Sequence, residues 1–213
     1  MIIRHAEKPG NYGGQPLSGV SFTADHAGEA GKRHLATLGW QRAGALITLF
    51  VPPWGPKPGL ATPGFLFASN PERQRGDVDE EGSPSHRPFE TLMPIAAKLG
   101  IEINAGYQKD GYDAMVADAL TKIGTILIAW QHEDIPLLNK LRGPGMSQSI
   151  LTQTNTPQAR NLGIPEHWPK DSQGQSRYDL IWVFDLSPAD GTVATFNMYR
   201  QSLLSSDEPG IAS

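Results

Sequence analysis

Two histidines each end an apolar run, in surroundings suited to handling negative charge. Met1-Ile2-Ile3 runs straight into Arg4-His5, and the chain then turns away at Lys8-Pro9-Gly10. Gly124-Thr-Ile-Leu-Ile-Ala-Trp-Gln leads in the same way to His132. Imidazole is neutral above its usual pKa of about 6.5, so it can serve as a nucleophile near neutral pH. Two strands that each end on a histidine can point both rings into one pocket. That layout suits attack of one imidazole on an anionic centre, with the second imidazole and an arginine holding the charge.

The elements that must position these residues follow from hydrophobic period and breakers. Thr125–Trp130 is a continuous apolar run, the pattern of a strand buried on both faces. Phe65–Ser69 reads as a short buried strand, residues 101–104 as another. Helical spacing runs over residues 38–50, with Leu38, Ala45, Leu46 and Leu49 on one side, until Val51-Pro52-Pro53 stops it. It recurs over Arg87–Leu99, with Pro94 inside, and over 112–123. A short helix is expected over 135–141. Strands over 177–186 and 192–200 flank Ser-Pro-Ala-Asp-Gly, a hairpin signal. Residues 10–32, 72–86 and 147–176 read as polar loops. Strands alternating with helices predict an α/β sheet. Ligands in such sheets sit beyond the carboxyl ends of the strands, where His5 and His132 belong.

Composition narrows the function classes. The chain has 213 residues, enough for one domain over 1–213, with 205–213 expected as a loose tail. A net charge of −4 without a large basic cluster argues against nucleic acid as partner. There is no cysteine, which excludes disulfides and thiolate–metal sites. No run approaches the roughly 20 apolar residues of a membrane span, and no signal peptide is visible. A cytoplasmic location is the expectation. Only three residues precede Arg4, however, so the natural start is expected to lie upstream. His26, His34, His86 and His167 lack partners at metal-ligand spacing, so no metal and no other cofactor are expected. Trp40, Trp130 and Trp182 read as core or sheet-face residues, and Trp54 and Trp168 as loop residues able to line a pocket.

Arg4-His5-Ala6-Glu7 resembles the Arg-His-Gly/Ala signature of the histidine phosphatase superfamily, the phosphoglycerate-mutase-like proteins. Leu35-Ala-Thr-Leu-Gly-Trp-Gln-Arg-Ala43 resembles the helix start after that family's long first loop. Arg87-Pro-Phe-Glu-Thr91 resembles its Arg-x-x-x-Thr segment, and Trp130-Gln-His132 its second histidine. The order and spacing match from about residue 1 to about residue 200. The resemblance implies a three-layer α/β/α sandwich with a mostly parallel central sheet. It implies a metal-independent phosphatase that hydrolyses phosphoesters through a phosphohistidine on His5. Its partners would be a small phosphorylated substrate and inorganic phosphate in the pocket.

In that reading Arg4 and Arg87 clamp a phosphoryl group that carries about two negative charges. His132 stabilises the transition state, and Lys8, where the acid-phosphatase branch has another arginine, adds a point charge. The leaving alkoxide needs a general acid. Glu133 is the candidate, since in that branch the donor often follows the second histidine. Asp134, Glu80 and Glu81 are its rivals, and Asp110 and Asp113 are weaker ones. Arg73 or Arg75 can replace Arg87 in the clamp. Glu7 is expected to orient a neighbour or the loop. Alternative functions are a phosphohistidine-protein phosphatase, a phosphomutase of the same fold, and a non-catalytic phospholigand-binding scaffold.

Overall fold

Alternating side chains on the central strands decide which helices cover which face. The computed structural model describes residues 1–8, 33–72, 85–139, 143–156, 162–205 and 207, and the backbone of 11–12 and 15–16. The elements are β1 (Ile2–Arg4), β2 (Asn11–Tyr12), β3 (Gln15–Pro16), α1 (Thr37–Ala45), α2 (Ile47–Phe50), β4 (Phe65–Ser69), α3 (Arg87–Leu99) and β5 (Ile103–Tyr107). They continue with α4 (Tyr112–Leu120), β6 (Ile126–Trp130), β7 (Leu138–Asn139), β8 (Gly143–Pro144), α5 (Met146–Gln153), β9 (Leu180–Leu186) and β10 (Val193–Arg200).

The six-stranded sheet has the order β10-β9-β1-β6-β4-β5. It is mixed: β1, β6, β4 and β5 pair parallel, while β9 pairs antiparallel with both β1 and β10. The expected α/β class is therefore present. Ile3, Leu66, Ala68, Leu127, Ala129 and Ile181 pack with Leu49 and Phe50 of α2 and Leu92 and Ile95 of α3. Their neighbours Ile2, Phe67, Ile128, Trp130 and Trp182 point the other way, against Met115 and Val116 of α4 and Ile150 of α5. The period of two along each strand thus sends successive residues into separate cores on the two faces. Because β1 lies between β6 and β9, the Arg4-His5 segment leaves the middle of the sheet.

Several local expectations need correction. The helix over 38–50 divides into α1 and α2 at Leu46. Of the helix predicted over 135–141, the described residues 135–139 are not helical, and 140–141 lie outside the described residues. The Asp134, Ile135 and Leu137 carbonyls instead accept from Met146, Ser147 and Gly145, and Leu138–Asn139 pairs with Gly143–Pro144. Those commitments leave no carbonyls for a helical ladder. The stretch 147–176 is not all surface loop, since it holds most of α5 and buries Ile164 and Trp168. Trp168 is buried, at 6% exposure. It stacks on Trp182 with ring centroids 5.0 Å apart. Trp54 is 84% exposed. Strand β5 lies two residues later than expected, and β9 begins only at Leu180. Pro94 is accommodated inside α3, which ends on left-handed Gly100 (φ 68°). Asp207, in the stretch expected to fray, accepts from Arg42 and from the Leu203 and Leu204 amides.

Candidate active site

The rim of the site is built by three segments pinned to one another. Strand β1 ends where the His5 amide donates to the Trp130 carbonyl at 2.9 Å, which sets His5 beside the end of β6. Helix α3 starts at Arg87, and Pro88 costs no hydrogen bond in the first turn, where the N–H has no helical partner. One turn on, Glu90 accepts from the Leu35 amide at 2.8 Å and lies 2.5 Å from His34 Nδ1. Thr91 accepts from the Ala6 amide at 2.8 Å and donates to the Arg87 carbonyl at 2.7 Å. The Arg-x-x-x-Thr spacing places the arginine at the helix mouth while the threonine grips the peptide after His5.

A second anchor holds the other side of that loop. Glu7 is fully buried, and its Oε1 accepts from Arg42 Nε and Nη2 at 2.8 and 2.7 Å. The Glu7 carbonyl accepts from the Ala36 amide at 2.9 Å. A Cβ on Gly39 would stand 2.4 Å from that carbonyl, so only glycine lets α1 come this close. Glu7 is thereby tied to α1, with the Gly39-x-x-Arg42 spacing giving both the close approach and the ion-pair partner.

The His5 ring is 3% exposed, and its Nδ1 lies 2.7 Å from the Ala6 carbonyl. A carbonyl can only accept, so Nδ1 carries the proton and Nε2 carries the lone pair. Burial depresses the His5 pKa well below the ordinary imidazole value, and the charges of Arg87, Arg4 and His132 depress it further. The ring is neutral at neutral pH, and three predicted site residues act on it at once.

Arg4 donates through Nη1 to the carbonyls of Ser176 and Arg177, and its guanidinium lies 3.6 Å from the Tyr178 ring centroid. Arg87 donates from Nε to Ser85 Oγ at 3.1 Å. Burial and the Arg4 charge lower its pKa, against Tyr178 and Glu133. His132 follows β6, with Nδ1 3.1 Å from Glu133 Oε2. Burial and the charges of Arg4, Lys8 and Lys109 bring the His132 pKa down to about 3, against the pull of Glu133. For Glu133, burial works upward. His132, its own amide, Lys109 and Arg4 outweigh that and hold the carboxyl below the usual range. Its side chain is 50% exposed, so it meets solvent as an anion. Lys8 is exposed, and its pKa is lowered by partial burial and by Arg87 and Arg4, against Glu133.

Arg4, His5, Lys8, Arg87, His132 and Glu133 therefore share one electrostatic neighbourhood. The Asp134 side chain is fully buried and accepts from Asn139 Nδ2 at 2.5 Å. Asp110 and Asp113 are exposed. Glu80, Glu81, Arg73, Arg75 and His26 lie outside the described residues. Tyr178 and Lys109 were missed. Tyr178 precedes β9 with no local signal of its role. The Lys109 carbonyl accepts from Trp130 Nε1 at 3.0 Å, a contact across the sheet rim that spacing cannot reveal.

Among the described residues, no group of three or more His, Asp or Glu side chains could hold a metal ion. No described helix is long and apolar enough to cross a membrane. A cavity of about 460 Å³ opens at the opposite end of the sheet, lined by Met1, Leu60, Val116, Thr125 and Phe184 among others, with neither imidazole nor guanidinium. Compared with known protein families and with curated proteins, the chain matches none.

Proposed function

We propose that this chain is a metal-independent phosphatase of the histidine type, with a phosphoglycerate-mutase-like arrangement of its sheet. The observation that carries the reading is the tautomer of His5. Its Nδ1–H faces the Ala6 carbonyl at 2.7 Å, which puts the lone pair on Nε2. Arg4, Arg87 and His132 all bear on that ring.

In the proposed reaction Nε2 attacks phosphorus in line, a P–N bond forms, and the P–O bond to the leaving group breaks. Arg4 and Arg87 neutralise the non-bridging oxygens in a fork geometry. His132, whose pKa the phosphate dianion raises, takes up a proton and donates to those oxygens as charge develops. The leaving oxygen takes a proton from Glu133 or from water. Water then attacks phosphorus, the P–N bond breaks, and inorganic phosphate leaves. An arriving phosphate dianion raises the pKa of every titratable group near it. Glu133, anionic without substrate, becomes a better acid when substrate is bound.

One observation favours a second reading. A carboxyl held below its usual range is a weak proton donor at neutral pH. Imidazole is a better leaving group than an alkoxide and needs less help, so a phosphohistidine-protein phosphatase suits this site too.

The test is hydrolysis of an aryl phosphate with EDTA present, wild type beside His5→Ala, over about pH 4–9, a span bracketing carboxylate and imidazole pKa values. The expected result is chelator-resistant activity that His5→Ala abolishes, with an acid-labile phosphoenzyme trapped by rapid quenching. Full activity in His5→Ala removes the proposal. Phosphate binding without turnover or phosphoenzyme identifies a scaffold.

A further inference from the structure

Three consecutive residues, Ser176, Arg177 and Tyr178, close over Arg4 from a part of the chain far from β1. Arg4 Nη1 donates to the Ser176 and Arg177 carbonyls, and the Tyr178 ring covers a face of the guanidinium at 3.6 Å. The same ring stands 6.1 Å from the His5 ring, tilted by 58°. This strap is itself held independently of Arg4. The Arg177 carbonyl accepts from Trp168 Nε1 at 2.8 Å, and Arg177 Nε donates to Asp179 Oδ1 at 2.8 Å. The Tyr178 carbonyl accepts from Gln201 Nε2 at 3.2 Å.

We propose that Tyr178 is a positioning residue of the phosphate clamp: its ring seats the Arg4 guanidinium flat, so that Arg4 meets the phosphoryl group edge-on beside His5. A guanidinium is planar, and its fork matches a phosphate only when that plane is correctly set. The Nη1 bonds fix one corner of the plane, and the ring fixes its tilt through attraction to the ring's negative face. One side chain thereby packs on the Arg4 guanidinium and stands beside the His5 ring. The inference rests on the phosphatase reading for the identity of the ligand.

The test uses the full chain and inorganic phosphate, with calorimetric affinity and aryl-phosphate kinetics side by side. Tyr178→Leu is expected to weaken phosphate binding about tenfold, between the sizes of an exposed and a desolvated cation–π contact. KM should rise in parallel, with kcat falling less. Tyr178→Phe keeps the ring and should restore affinity to within about threefold. In an Arg4→Lys background, which lacks the planar group, Tyr178→Leu should add little. Unchanged phosphate affinity in Tyr178→Leu overturns the proposal, and so does a full additional loss on top of Arg4→Lys. Should the leucine variant not fold, the wild type decides by NMR. Overhauser contacts between the Tyr178 ring and the Arg4 Hδ protons must persist with phosphate bound, and their absence overturns the seating. A protein that binds phosphate with these dependences yet hydrolyses no phosphoester ends the phosphatase reading and leaves the seating of Arg4 standing. A protein that binds no phosphate ends both.

Discussion

The Thr91 hydroxyl joins the mouth of α3 to the peptide that follows His5, accepting from the Ala6 amide at 2.8 Å and donating to the Arg87 carbonyl at 2.7 Å. Both Ala6 and Thr91 are fully buried, so water cannot replace this bond. Thr91→Val keeps the shape and removes the acceptor. Leaving a buried N–H unsatisfied costs about 1–3 kcal/mol, to be read by urea unfolding. A displaced His5 should also lower kcat/KM, by on the order of 10- to 100-fold. Thr91→Ser should retain most of both. Equal damage from serine and valine would show that the methyl group, not the hydroxyl, is what matters.

The Glu7–Arg42 pair makes a second prediction. Both side chains are buried, at 0% and 3% exposure. Arg42→Met strands the Glu7 carboxylate and should destabilise by about 3–5 kcal/mol. Adding Glu7→Leu should recover part of that loss, because one of the two stranded carboxylates is gone while Asp207 remains. Gly39→Ala presses a methyl into the Glu7 carbonyl and should cost about 1–3 kcal/mol. Additive losses in the Glu7/Arg42 double variant would show that the two side chains act separately.

The pH dependence follows from the two imidazoles. Both have folded-state pKa values below the ordinary one, His5 well below and His132 at about 3. The unfolded chain therefore binds more protons than the folded one below about pH 6.5. Stability falls as pH drops from there toward 3, and His132→Asn should flatten that slope in thermal melts. In kcat/KM, which reports groups of the free enzyme, no acid limb from His5 should appear near the usual imidazole pKa. NMR titration of both rings gives the direct reading. An ordinary midpoint for His5 would contradict the crowding of cations around it.

Glu133→Gln separates the leaving groups. Loss of a general acid slows a reaction by typically about 10²–10⁴-fold when the leaving group is poor. Alkyl phosphates should suffer that loss and aryl phosphates far less. Equal effects on the two would remove Glu133 as the acid and direct attention to residues 73–84, which contain Glu80 and Glu81.

The bounds of β4 and α3 were legible because period and breakers agree there. Phe65–Ser69 is a short apolar run, and Arg87–Leu99 keeps its apolar face until left-handed Gly100. The histidines were legible because each ends a buried run at the rim of the sheet. Residues 135–139 depart from the expected helix because carbonyls there are already taken by residues 145–147. Tyr178 and Lys109 left no trace in local pattern. Their roles come from tertiary closure, Tyr178 onto Arg4 and Lys109 onto Trp130. The α5 helix hid among glutamines and serines, since only Met146, Ile150 and Leu151 of its short face carry the apolar signal.

Arg4 is closed by a carbonyl 172 positions further along the chain. During synthesis at about 5–20 residues per second, that closing partner emerges on the order of 10–30 s after the arginine does. Through that interval the nascent polypeptide carries Arg4 and His5 without the strap over them, and β1 lacks its β9 neighbour. Long-range closure of this kind comes late in folding, because the loop entropy is spent before the contact is made. The candidate site is then among the last parts to mature, so a ribosome-bound fragment ending before Tyr178 would carry Arg4 and His5 without the strap that closes over them.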